Sequence, residues 1–209
     1  KVRILGYVVY AWLIMALLGA MIPDPSDANT NIATATDNIT IEGHTFSFSM
    51  PDGWTKNEAE TGSISEYFDS DESYEPAYDY TGTYVADAFR DPDPDKPNVS
   101  LGIVHVPPDE ASEDSVDDIL RYLNYDMNEP FGNSDSVDSN EKYLDFDGKR
   151  AYLVEEQVDY NKAWHGAMEG SANILTMTVA LGENTYATVG GYFRDDGKVW
   201  DVVKDMTID

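Results

Sequence analysis

Cysteine is absent from all 209 residues. That excludes disulfide staples and any thiolate nucleophile, so stability has to come from packing. Basic side chains are scarce, with 13 Lys and Arg against 40 Asp and Glu and a net charge of −27. Nucleic acid is thereby excluded as a partner, because a phosphate backbone needs the opposite sign. Docking onto an anionic lipid surface fails on the same ground.

A second absence is local. Between Ile4 and Ile22 there is not one charged side chain; Lys1 and Arg3 precede the run and Pro23-Asp24-Pro25 closes it. A helix of that length matches the ~30 Å hydrocarbon core of a bilayer. A lone apolar segment in lipid must also be helical to pair its backbone. Residues 1–22 are therefore expected as a hydrophobic, transmembrane-type anchor in the cell membrane, with its N-terminus cytoplasmic and the main domain extracytoplasmic. A cleaved signal peptide fits less well, since its apolar region spans ~7–15 residues and Leu18-Gly19-Ala20 is a poor cleavage site. Ala16, Gly19 and Ala20 offer a small face for helix–helix packing. The partners expected for residues 4–22 are membrane lipid or neighbouring hydrophobic helices, in a homo- or hetero-oligomeric assembly. The alternative is a pilin-type helix forming a filament core. Against it, Leu5 stands where bacterial type IV pilins carry glutamate, and the prolines end the helix early.

Asp outnumbers Glu by 26 to 14, and Lys occurs 8 times. Such a field repels itself at low salt and is relieved by screening, which suits a salty exterior. The composition is similar to that of halophilic archaeal surface proteins. Residues 23–37 are small, polar and patternless, as a flexible linker would be, and residues 38–209 suffice for one domain with its own core.

Within that domain, residues 38–41 and 45–50 alternate as strands, placing Phe46, Phe48 and Met50 on one face. Pro51-Asp52-Gly53 turns the chain into Trp54. Residues 57–97, dense in acid and tyrosine, read as a long solvated excursion with a strand over 83–89. Val99–Val106 has the continuous apolar run of a central strand. Val116, Ile119, Leu120, Leu123 and Met127 then follow helical spacing, with Ser115 and Asp118 as a capping pair. Asp147-Gly148 marks one hairpin and Gly182-Glu183-Asn184 another. Val199, Val202, Val203 and Met206 predict a closing helix on which the chain ends. The order predicts an α+β class: an antiparallel β-sheet with helices packed on it, preceded by the hydrophobic helix.

That order, opening on Phe46-Ser-Phe48-Ser-Met50-Pro51-Asp-Gly53-Trp54, resembles the PsbP/Mog1-like fold over residues 38–209. The family includes lumenal photosystem II subunits, surface lipoproteins and a regulator of a small GTPase. The resemblance implies a largely non-enzymatic accessory or assembly module, with no family site residue matched here.

Among candidate sites, Asp91, Asp93 and Asp95 supply carboxylates at alternate positions, the hard oxygen ligands calcium prefers. An EF-hand loop would need Gly and Glu where Lys96 and Gly102 stand. Ca2+ is accordingly the one cofactor considered, and otherwise none is expected. Asp69, Asp71 and Glu72 form a second cluster. His44, His105 and His165 lack metal-ligand spacing, and no Gly-x-Ser-x-Gly elbow supports a triad. Gly190 and Gly191 lie inside a strand pattern and predict a bulge. Asn38 and Asn98 stand in glycosylation sequons of a frequency that chance allows. The reading that follows is a non-catalytic, membrane-anchored accessory or structural subunit of a cell-surface assembly. A filament subunit is the alternative, and an extracellular hydrolase the third.

Overall fold

The computed structural model describes residues 32–51, 53–58, 60–69, 75–90, 98–128, 136–159, 171–194 and 199–209. Over these residues the chain forms eleven strands and three short helices. The strands are β1 Ile32–Ile41, β2 His44–Pro51, β3 Thr55–Lys56, β4 Thr61–Ser63, β5 Thr81–Arg90 and β6 Asn98–His105. They continue as β7 Ser136–Phe146, β8 Lys149–Asp159, β9 Ser171–Gly182, β10 Thr185–Arg194 and β11 Thr207–Ile208. The helices are α1 Ile64–Asp69, α2 Val116–Asn128 and α3 Val199–Val203.

A large antiparallel sheet runs in the order β3-β5-β6-β10-β9-β8-β7, with β4 also on β5, and a small one runs β1-β2-β11. Alternation along the strands gives the large sheet two apolar faces. Val99, Leu101, Ile103, Leu175, Met177 and Val189 face one way, against Ile39, Phe46, Phe48 and Ile208 of the small sheet and Val199 and Val203 of α3. Phe48 stacks on Phe89 with ring centroids 4.6 Å apart. On the other face Tyr152, Val154 and Tyr186 pack with Leu120 and Leu123 of α2 and with Ile64 and Phe68 of α1.

The expected α+β class is thus corrected to a mostly β fold. Sheet rather than helix covers one face of the large sheet, because the early hairpin pairs with the chain's last strand. The expected closing helix stops at Val203; a turn from Met206 N–H to the Val203 carbonyl (2.9 Å) redirects the chain, and Ile208 pairs with Phe46. β1 starts at Ile32, inside the stretch read as a linker.

Among the described residues no helix is long and apolar enough to cross a membrane. The expected single-pass anchor and its placement in the cell membrane are therefore not supported. Residues 4–22, with Ala16, Gly19 and Ala20, lie outside the described residues.

Local signals explain the turns. Asp147 and Gly148 both take positive φ (52° and 74°), as a two-residue hairpin turn of the primed type demands. Glu42-Gly43 does the same (50° and 88°) between β1 and β2. Ser115 Oγ accepts the Asp118 N–H at 3.2 Å, the expected cap of α2. Val116 is nevertheless 48% exposed, and the helix buries Asn124 in its place.

Candidate functional site

The site grows out of an irregularity in β5. The β5–β6 register pairs Val85 with Leu101 and Phe89 with Val99, so residues 86–88 are fitted opposite Ser100 alone. A bulge of this kind unpairs backbone groups, which must find other partners. The Asp87 N–H donates to Ser100 Oγ at 3.1 Å. The Ala86 N–H donates to the Glu60 carbonyl (2.9 Å), and the Ala88 carbonyl accepts from the Asn57 N–H (2.8 Å). Asp87 sits at φ 49°, in the left-handed region that Asp tolerates better than most residues. Its side chain is buried, and burial pushes its carboxyl above the usual aspartate range. Neighbouring Glu60 adds to the rise, and Arg90, 3.6 Å away, opposes it without cancelling it.

Beside the bulge lies a partly enclosed pocket of about 130 Å³ on the helix-bearing side of the sheet. Ser100, Gly190 and Thr176 stand side by side on β6, β10 and β9 and contribute to its lining, as does Thr188. Because these side chains are small or absent, the sheet surface is recessed there. Tyr67 of α1, Tyr84 of β5, Tyr192 of β10 and Met127 of α2 add aromatic and thioether surface. The charged groups in the lining are Glu60 and Asp87, and the surface is mainly carbon. A Cβ built on Gly190 would meet nothing nearer than the Ser100 Cβ at 4.0 Å.

Two sets of hydrogen bonds hold the walls. Across α2, Thr178 Oγ1 donates to the Leu120 carbonyl (2.8 Å) and Asn124 Nδ2 to the Thr176 carbonyl (2.9 Å). At the helix's C-terminal end, Asp126 Oδ2 accepts from the Tyr80 hydroxyl (2.7 Å) and the Ala77 N–H (3.0 Å). Before the helix's N-terminal end, Asp114 Oδ2 accepts from the Tyr78 hydroxyl (2.8 Å). Aromatic contacts continue to the pocket: Tyr80 meets Phe68 at 5.2 Å, Phe68 meets Tyr67 at 5.1 Å, and Tyr67 meets Tyr84 at 6.1 Å. The tyrosine-rich stretch read as a solvated excursion is, in its described parts, packed: Phe68, Tyr78 and Tyr80 are buried, and Tyr67 and Tyr84 line the pocket.

Asp91, Asp93, Asp95, Asp71, Glu72 and His165 lie outside the described residues. Among the described residues no group of three or more His, Asp or Glu could hold a metal ion. Asn38 is exposed on β1, whereas Asn98 is half-buried in the pocket lining. His105 instead bonds Glu42 Oε2 (2.6 Å) and Thr185 Oγ1 (3.2 Å). Partial burial would raise the Glu42 carboxyl, but the bonds from Thr83 and His105 and the histidines' charges outweigh it and lower the pKa. The bulge expected at Gly190-Gly191 is absent; β10 keeps register there with both neighbours. Gly191 is needed for another reason, since a Cβ would lie 2.2 Å from Val199 Cγ1. Asp87 and Glu60 were missed, although an acid between two alanines in an apolar strand was a readable sign.

No family model matches the sequence, and no curated protein matches it. Several solved structures are similar in outline. Among them is LpqN, involved in cell envelope biogenesis of Mycobacterium tuberculosis. The two share 11% identity at a TM-score of 0.43, over 83% of this chain and 90% of LpqN.

Proposed function

We propose that this chain is a non-catalytic accessory domain of a cell-surface assembly, acting by binding a small, largely apolar ligand beside the β5 bulge. The observation that carries the reading is the recess over Ser100, Thr176 and Gly190. Its volume is close to that of the ~150 Å³ apolar cavities that take up a single benzene ring. A wall of rings around a few placed polar groups is the usual make-up of a small-molecule site.

Features of the lining favour binding over chemistry. Ser100 Oγ is engaged as acceptor of the Asp87 N–H, and among the described residues no histidine lines the pocket to act as its base. The accessory role agrees with the PsbP/Mog1-like resemblance, and the acidic surface with a salt-exposed setting.

Thermal unfolding tests the reading. A ligand that binds the folded chain raises the midpoint by mass action. One-ring and short-chain compounds should raise it in the wild type and leave Gly190→Val, whose side chain fills the recess, unmoved. Equal responses in both would refute the pocket as the site.

A further inference from the structure

We propose that the ligand of this pocket is a small organic cation, a methylated ammonium. The inference rests on the binding role proposed above and names its chemical class.

Charge and surface type select the ligand. Aliphatic walls alone, such as Leu101, Ile174 and Val189 provide, do not distinguish a neutral ligand from a cation of the same shape by electrostatics. Tyr67, Tyr84 and Tyr192 are aromatic members of the lining, and Met127 adds a thioether. Ring faces attract a cation electrostatically, and methyl groups on nitrogen let the charge enter a mostly carbon site without stranded N–H donors. The two charged groups in the lining are both carboxylates, Glu60 and Asp87. Arg90 lies against Asp87 but does not line the pocket, so the charge presented inside is negative. Burying Asp87 beside Glu60 disfavours its charged form, and a cation bound against the two carboxylates would offset that cost. The chain's net charge of −27 concentrates cations around the whole surface. The same field disfavours ligands carrying phosphate, so the source is a free cation rather than a phosphorylated headgroup.

Calorimetric titration of the full chain with choline tests this, against 3,3-dimethylbutan-1-ol (the same shape with carbon for nitrogen) and phosphocholine. Choline should bind at least about tenfold more tightly than either, a difference of ~1.4 kcal/mol. Glu60→Gln and Asp87→Asn should each weaken choline and leave the neutral alcohol unchanged; Glu60→Gln, which keeps the backbone carbonyl that the Ala86 N–H bonds and changes no residue of the bulge itself, guards against misfolding of the other. If the alcohol binds as well as choline, the pocket stands as a binding site and the cation assignment fails. If phosphocholine binds more tightly than choline, the free-cation assignment fails. Choline binding that survives Gly190→Val would be surface charge alone and would overturn it too. Should neither choline nor the alcohol bind, the binding role and the inference fall together.

Discussion

The Asp87 backbone N–H donates to the Ser100 hydroxyl across 3.1 Å, joining two strands where their ladder is interrupted. This bond holds the β5 bulge in place and sets one side of the pocket. Ser100→Ala leaves the amide without that acceptor, and a buried orphaned donor costs about 1–3 kcal/mol. Denaturant unfolding should show that loss with an unchanged m-value. A change under about 0.5 kcal/mol, the size of an ordinary surface substitution, would mean the bulge is held by something else.

Asp87 should give stability an unusual pH dependence. Its carboxyl is raised by burial and by Glu60, with Arg90 opposing, so the folded state holds its proton more tightly than the unfolded chain. The penalty therefore appears as pH rises from the ordinary value of 3.8 through the raised folded value, and persists above it. Asp87→Asn should gain on the wild type through that window and then keep a constant lead. Melting temperatures of both proteins across the acid range check this; a lead that shrinks with rising pH would contradict it.

Glu42 should behave in the opposite sense. Its pKa is lowered from 4.5, so its contribution is complete above that value and is lost as pH falls through the lowered one. Glu42→Gln should cost on the order of 0.2–1 kcal/mol near neutrality, as half-exposed pairs do. The deficit should close on acidification below 4.5. Chemical denaturation at neutral and acid pH separates the two.

Adjacent glycines on β10 should answer differently to the same change. Gly191→Ala drives a methyl into Val199, whose β-branched side chain has little freedom to move, and should cost about 1–3 kcal/mol. Gly190→Ala points into the open recess and should be neutral or stabilising by up to ~1 kcal/mol, because alanine restricts the unfolded chain. Unfolding midpoints of the two variants, measured side by side, decide the matter.

Much of the strand pattern was legible because its determinants are local. Asp147-Gly148, the Ser115 cap and the apolar run of β6 act within a few residues of themselves, and each sits where its sequence placed it. The site was not legible, because its determinants are distant. The hydroxyls of Tyr78 and Tyr80 find their carboxylates 36 and 46 positions away, so in sequence they look like solvated polar residues. The bulge at Asp87 shows itself once β5 and β6 are paired. Helical spacing over Val199–Met206 misled for a related reason: the chain turns after Val203 so that Thr207 and Ile208, just past the pattern, can pair with β2. That exchange, with the hairpin it completes, is what turned an expected α+β domain into a mostly β one.

The recess over Gly190 is the centre of this account, and an amide NMR titration of the full chain with choline tests it most directly. Shifts should concentrate on Ser100, Thr176, Thr188, Gly190 and Tyr192, saturate together, and vanish in Gly190→Val. Shifts scattered over the acidic surface, or unchanged in that variant, would contradict it.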